Sequence, residues 1–257
     1  MYTTRLKAGL GLVTETKLLL ELWEPGMPVP HLNKIALASG RFASVTARRL
    51  RNIVVECFAS RYLTEAALPA RMLKVLLPAL TPEEMQQFFL LFTCRTNPVL
   101  ADFIRQVYWP GYAAGTREIR NTDAQAFVER ALAEGKTPVR WTPATVKRMA
   151  GALTGCCADY GLLENGVRTR RRLLPFYVRR KLGVYLAYDL HRRALGEHAL
   201  LHHPDWALFG LDPGEVLSQL KQLSLDGWFV VQAGGDVVRI SWKHPDLESV
   251  CHVLAER

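Results

Sequence analysis

Residues 142–172 read TPATVKRMAGALTGCCADYGLLENGVRTRRR, and the fold turns on how this stretch is divided. Thr142-Pro143-Ala144-Thr145 is a helix start: a hydroxyl to cap, then a proline whose missing N–H costs nothing in the first turn. Val146, Met149, Ala150, Leu153, Cys157 and Tyr160 follow at spacings of three and four, which makes one apolar stripe. Gly161 stops the helix. Asn165-Gly166 is a tight-turn signal, and strands on either side of it, the second carrying Arg172-Leu173-Leu174, would form a β-wing. Helix, turn, helix and wing in series is a winged helix-turn-helix. The face opposite the stripe carries Lys147, Gly151, Thr154 and Ala158, with Arg148 beside it. Two readings of that face stay open. Small residues behind a cation let a helix lie against a phosphate backbone or in a major groove, and they equally permit close packing against another helix.

The basic character grows downstream. Residues 167–181, VRTRRRLLPFYVRRK, contain seven Arg or Lys in fifteen and no acid. Residues 1–135 carry 16 basic and 12 acidic side chains, a net of +4. Residues 136–181 carry 11 and 2, a net of +9, and residues 182–257 carry 6 and 10, a net of −4. A charge excess gathered into one stretch is the footprint of a nucleic-acid or other polyanionic partner. The expected phosphate contacts are Arg168, Arg170, Arg171, Arg172, Arg179, Arg180 and Lys181, helped by Arg140, Lys147 and Arg148. Arg168 to Arg172 are placed on the wing, Pro175 at its end, and Arg179 to Lys181 on a helix over 177–195.

Upstream, helices are predicted over 12–23, 30–38, 65–80, 82–93 and 98–108. Thr81-Pro82-Glu83-Glu84 is a capping box, and Trp109-Pro110-Gly111-Tyr112 is a break. A further helix starts at Ser44 as N-cap, with Leu50, Ile53, Val54, Cys57 and Phe58 as its core stripe. Arg48 and Arg51 fall on its other side and Arg41 just before it, the layout of a helix-turn-helix that presents cations to DNA. Residues 1–118 therefore read as an all-helical domain. Residues 119–257 read as a second domain with two winged-helix-like elements, about 121–176 and 199–243. A helix from Asn121 through Leu132 and a short extended piece at Val139-Arg140-Trp141 complete the first. In the second, Asp212-Pro213-Gly214-Glu215 caps a helix, and Trp228–Gln232 and Val237–Trp242 form a hairpin. Its region is acidic, so packing or protein contact is expected of it. The fold class is mainly α with small β-hairpins.

Signs of catalysis are sparse. No glycine-rich phosphate loop, HExxH or GxSxG occurs. His198 and His202 stand at i, i+4 without an evident third ligand. The five cysteines (Cys57, Cys94, Cys156, Cys157 and Cys251) form no CxxC pair and read as core residues in a reducing compartment. The expectation is a non-enzyme with no cofactor, metal or small-molecule substrate. The opening residues lack a signal-peptide core and no apolar run is long enough to span a membrane, so a cytoplasmic protein is expected.

Three landmarks carry a family resemblance. They are Tyr2 through Leu12 to Thr14-Glu15-Thr16, followed by Ser44, Arg48 and Arg49; Trp141–Thr145 to Tyr160–Leu163; and Asp226-Gly227-Trp228 to Ile240-Ser241-Trp242. In order and separation the chain resembles the BrxA family of bacterial BREX (bacteriophage exclusion) defence systems. The resemblance implies a largely helical, non-enzymatic double-stranded DNA-binding protein. It would serve a system that also contains a methyltransferase, an ATPase and a phosphatase-like protein, so other BREX proteins are expected partners. The family has been likened to the RNA-binding antitermination factor NusB, and has been labelled an inner-membrane protein, which this sequence does not support. Two alternatives stand beside DNA binding. One is a NusB-like RNA binder that stacks bases on Tyr108, Trp109 and Tyr112. The other is an adaptor whose basic patch docks on an acidic protein.

Overall fold

The structure is a computed structural model that describes every residue except Val167, Arg168, Asp236 and Arg257, and only the backbone of Lys7 and Ala8. The chain is mainly helical, with two two-stranded antiparallel sheets among the described residues. It divides into two compact units. One comprises Met1–Lys74 and Phe89–Phe176, the other Val75–Phe88 and Tyr177–Arg257.

The first unit is built on helices whose apolar stripes meet. Helices Val13–Leu22 and Val29–Ala38 precede helix Ala47–Asn52, which runs on through a π-helical segment, Ile53–Ala59. The cap of that third helix is Thr46, whose hydroxyl accepts the Arg49 N–H at 3.2 Å, and not Ser44 as the sequence suggests. Two hydroxyl residues stand one residue apart, and only Thr46 is followed at once by the helical register. Tyr62, fully buried, meets Phe58, Phe89 and Phe92 with ring centroids 5.4–5.8 Å apart. Beside them the buried Arg61 donates to the carbonyls of Gly9 (2.8 Å) and Leu10 (3.1 Å) and ties down the amino-terminal segment.

The expected break at Trp109-Pro110 is not a break. Helix Pro98–Phe103 continues as a π-helical turn, Ile104–Tyr108, and then as helix Trp109–Ala113. Pro110 has no N–H to give the ladder, and a widened turn just ahead of a proline absorbs that loss. Tyr108 is buried to 0% exposure, so it is a core residue and is closed to base stacking.

Strand β1 (Glu118–Arg120) leads directly into helix Asn121–Ala133, and helix Pro143–Asp159 packs along it. Val139-Arg140-Trp141 lies in the connection between these helices and joins no strand, which corrects the extended piece expected there. Thr142 caps the second helix as expected, accepting the Thr145 N–H at 3.3 Å. The strand after the turn, β2 (Arg170–Arg172), also differs from expectation. Its partner is β1, in the register Glu118↔Arg172, Ile119↔Arg171, Arg120↔Arg170. The residues before Asn165-Gly166 contribute a single bridge, Leu163↔Leu173. Turn chemistry shows that two segments approach, while a partner fifty residues upstream leaves no local trace.

The second unit is assembled around helix Arg180–Arg192, three residues shorter at each end than the 177–195 expected. Helix Pro213–Leu225 opens on the expected capping box, with Asp212 Oδ1 accepting the Glu215 N–H and Glu215 Oε2 accepting the Asp212 N–H, both at 2.9 Å. Strands β3 (Phe229–Gly234) and β4 (Val237–Trp242) form the expected hairpin, paired from Phe229↔Trp242 to Gly234↔Val237. Tyr188 pins its base: the hydroxyl donates to Trp228 O at 2.6 Å and accepts the amides of Lys243 and His244 at 3.3 Å each.

Candidate nucleic-acid interface

Side chains alternate across a strand, so the β1–β2 register sorts its charges onto two faces. Glu118, Arg120, Arg170 and Arg172 share the outer face, and Ile119 and Arg171 share the inner one. Ile119 is buried, and Arg171 is half-buried beside it. On the outer face Arg120 stands directly opposite Arg170, and like charges in such a pair destabilise a sheet. Two carboxylates offset this. Glu118 lies 3.2 Å from Arg120 Nε and 4.0 Å from Arg170 Nε, and Glu164 lies 3.3 Å from Arg172 Nη2. The three arginine side chains nevertheless remain 65–67% exposed. Ion pairs this exposed contribute at most about 1 kcal/mol each, so a phosphate oxygen can replace the carboxylate at little cost.

The remaining predicted cations fall into distinct settings. Lys147 and Arg148 are exposed on the first turns of helix Pro143–Asp159, Arg148 Nε donating to Ala144 O at 3.3 Å. Arg140 is exposed on the rim of a separate groove of about 640 Å³, lined also by Leu132, Val139, Trp141 and Val146. Arg48 and Arg51 are exposed on helix Ala47–Asn52, and Arg41 is ion-paired with Glu21. Arg168 lies outside the described residues. In the second unit, Arg179 precedes its helix, with its guanidinium 4.3 Å over the Tyr177 ring and its N–H on Gln87 Oε1 at 2.9 Å. Arg180 pairs with Asp226 at 3.2 Å, and Lys181 Nζ donates to Ala79 O at 2.7 Å.

The small-residue face of helix Pro143–Asp159 divides between the two readings. Thr154 and Ala158 are buried, and the Thr154 hydroxyl donates to Asn121 Oδ1 at 2.8 Å, so this part is a packing surface. Gly151 opens instead onto a cleft of about 540 Å³, whose lining includes Arg49, Asn121, Arg148, Gly155, Asp159 and Arg171. Asp159 Oδ2 accepts the Gly11 N–H at 2.8 Å. Burial raises its pKa above the ordinary carboxylate value, opposed by that hydrogen bond and by the Arg171 charge. Burial likewise pushes up the thiols of Cys156 and Cys157, as expected of inert core cysteines.

Arg49, Arg117 and Arg120 stand among these cations unpredicted as contacts. Arg49 precedes Ile53 by one helical turn, at the edge of the apolar stripe, and that position was readable. Arg117 is exposed next to β1, and the pairing that recruits Arg120 has no signal in local sequence. Among the described residues no group of three or more His, Cys, Asp or Glu is placed to hold a metal ion, and His198 and His202 simply stack at 4.0 Å. No helix among the described residues is long and apolar enough to cross a membrane.

The family model for BrxA matches residues 1–189, which take in every arginine of the sheet and of the cleft. The chain belongs to the BrxA family. Membership points to a component of a BREX phage-defence system, and with it to other BREX proteins as partners. No curated protein matches the chain.

Proposed function

We propose that this BrxA-family chain is a non-enzymatic double-stranded DNA-binding component of its defence system, gripping the duplex mainly through phosphates. The observation that carries the reading is the β1–β2 face, where Arg120 opposes Arg170 with Arg172 alongside. A sheet that places like charges opposite each other gives up stability that an anionic partner restores. In this reading helix Asn121–Ala133, helix Pro143–Asp159 and the β1–β2 sheet act as a winged helix-turn-helix, with the sheet as wing. Lys147 and Arg148 extend the cationic track along the second helix, and Arg48 and Arg51 add contacts from Ala47–Asn52. Arg179, held over the Tyr177 ring, and Lys181, held on Ala79 O, contribute less, while Arg180, ion-paired with Asp226 yet 65% exposed, stays as available as Arg172.

The RNA alternative loses ground because Tyr108 is buried, and Trp109 and Tyr112 pack edge-on against each other at 5.4 Å. Protein contact, expected of the acidic second unit, has exposed apolar residues there to draw on, with Leu225 and Val237 81% and 71% exposed. Fluorescence anisotropy with one labelled duplex, competed by unlabelled duplex DNA or single-stranded RNA, tests the proposal. Duplex DNA displacing the label at concentrations about tenfold below RNA supports it. Binding that is absent near physiological salt, with a protein partner retained after nuclease treatment, overturns it in favour of the adaptor.

A further inference from the structure

The cleft beside Gly151 asks for a ligand that a duplex cannot supply. Arg49, Arg148 and Arg171 reach it from three separate elements, and Asp159 is the one acid in its lining. The lining itself thus carries more cations than acids, with the Glu15 charge also felt at Asp159. Arg171 Nη1 donates to Glu164 O at 3.1 Å, while its Nε is buried without a hydrogen-bond partner among the described residues, and a buried donor left unpaired is costly. Asn121 Oδ1 accepts the Thr154 hydroxyl at 2.8 Å, which fixes this side-chain amide in the cleft lining. The wall between these groups is bare helix backbone: a Cβ built on Gly151 meets nothing within 4 Å.

Size and charge narrow the ligand. A volume of about 540 Å³ suits a small molecule or a single nucleotide. A duplex can meet the rim of such a cleft at Arg148, but it brings no terminal phosphate into it. An internal phosphodiester also carries one negative charge, whereas a phosphate monoester carries about −1.5 to −2 at neutral pH. The dianion suits a lining of three arginines better than a monoanion does, and the bare glycine wall leaves room for the sugar or base behind it. We infer that this cleft binds a phosphomonoester on a nucleotide-sized group, either the phosphorylated end of a nucleic-acid strand or a free nucleotide. Only the strand-end source rests on the DNA-binding reading.

The test uses the full chain and four probes: a closed DNA dumbbell, the same duplex opened with a 5′-phosphate or with a 5′-hydroxyl overhang, and a deoxynucleoside monophosphate. Gly151→Leu fills the cleft without a steric conflict at Cβ, and leucine is the better helix former. Arg49→Gln removes one cation and fills nothing, so it tests the site independently of Gly151→Leu. If strand ends are the source, the 5′-phosphate improves wild-type affinity by about tenfold or more, a charge-assisted gain. Both variants then erase most of that difference, and Gly151→Leu keeps the wild-type affinity for the dumbbell. If free nucleotide is the source, the monophosphate binds saturably to wild type and not to Gly151→Leu, with no preference between ends. A phosphate effect that survives both variants, or no response to any phosphomonoester, overturns the inference. Failure of the dumbbell to bind counts against the DNA reading alone.

Discussion

The outer face of the β1–β2 sheet makes a quantitative demand on DNA binding. Arg170 and Arg172 are two strand positions apart, two-thirds exposed, and engage carboxylates only at the surface. If each meets a phosphate, each contributes about −0.9 to the slope of log affinity against log salt. Replacing both with Ala should make the slope about 1.8 shallower. Between 50 and 200 mM salt one such contact loses a factor of about 3.5 in affinity, and two lose about 12. Wild type should therefore weaken about 12-fold more than the double variant over that interval. Anisotropy of a labelled 20-base-pair duplex at five NaCl concentrations reads this directly, and repeating it with an unrelated duplex tests sequence tolerance. Adding Arg171→Ala should flatten the slope less than proportionately, because Arg171 is half-buried on the other face and already donates to Glu164 O at 3.1 Å. A double variant that binds more weakly with an unchanged slope would mean that the arginines act through the fold and not on phosphates. Unchanged affinity with an unchanged slope would remove the sheet from the interface.

Three further outcomes follow from particular contacts. Glu118→Gln deletes the carboxylate between Arg120 and Arg170, so it should lower thermal stability by about 1 kcal/mol or less while tightening duplex binding; calorimetric melting and anisotropy on one preparation separate the effects. Asp159 has a raised pKa when folded, so the folded chain keeps this proton to higher pH than the unfolded chain. Its contribution is then most favourable below the unfolded value, about 3.9, and is lost as pH rises through the folded one, so Asp159→Asn should gain on wild type in urea midpoint as pH climbs through that window. Gly11→Ala should destabilise by about 1–3 kcal/mol, because the new Cβ would sit 2.4 Å from Asp159 Cβ; a denaturation midpoint equal to wild type would show that this approach is not tight.

Helices with strong local signals were readable in the sequence. The Thr142-Pro143 start, the apolar stripe behind it and the Asp212–Glu215 box all act within one or two turns, and the structure places each as read. The β3–β4 hairpin was readable for the same reason, because both strands flank a short loop with Gly235 at φ +57°. What escaped were features that depend on distant chain. The partner of β2 is β1, and nothing in Arg170–Arg172 names Glu118–Arg120. The π-helical turn before Pro110 escaped because proline reads locally as a stop. At the candidate interface the sequence identified cations by number and could not say which were already engaged. Lys181 looked equivalent to Arg170 and Arg172 and differs because Ala79 O holds its ammonium, whereas Arg180 on Asp226 is as exposed as Arg172 on Glu164.

That difference bears on what the basic stretch 167–181 is for. An engaged cation must break a contact before it meets a phosphate, and a short contact to a carbonyl, such as Lys181 Nζ on Ala79 O at 2.7 Å, costs more to give up than an exposed ion pair. Arg179 is held on the Tyr177 ring and through its backbone, which positions the start of helix Arg180–Arg192. Arg179 and Lys181 are thus spent on building the second unit. The amino end, on β2, is held against its own repulsion by Glu118, shared between Arg120 and Arg170, and by Glu164 on Arg172. A chain that needed these arginines only for solubility would gain nothing by pairing Arg120 with Arg170, since unpaired loop positions would serve as well. The pairing fixes the register of the cations on one strand pair, and fixed spacing matters when the partner is itself a regular array of charge.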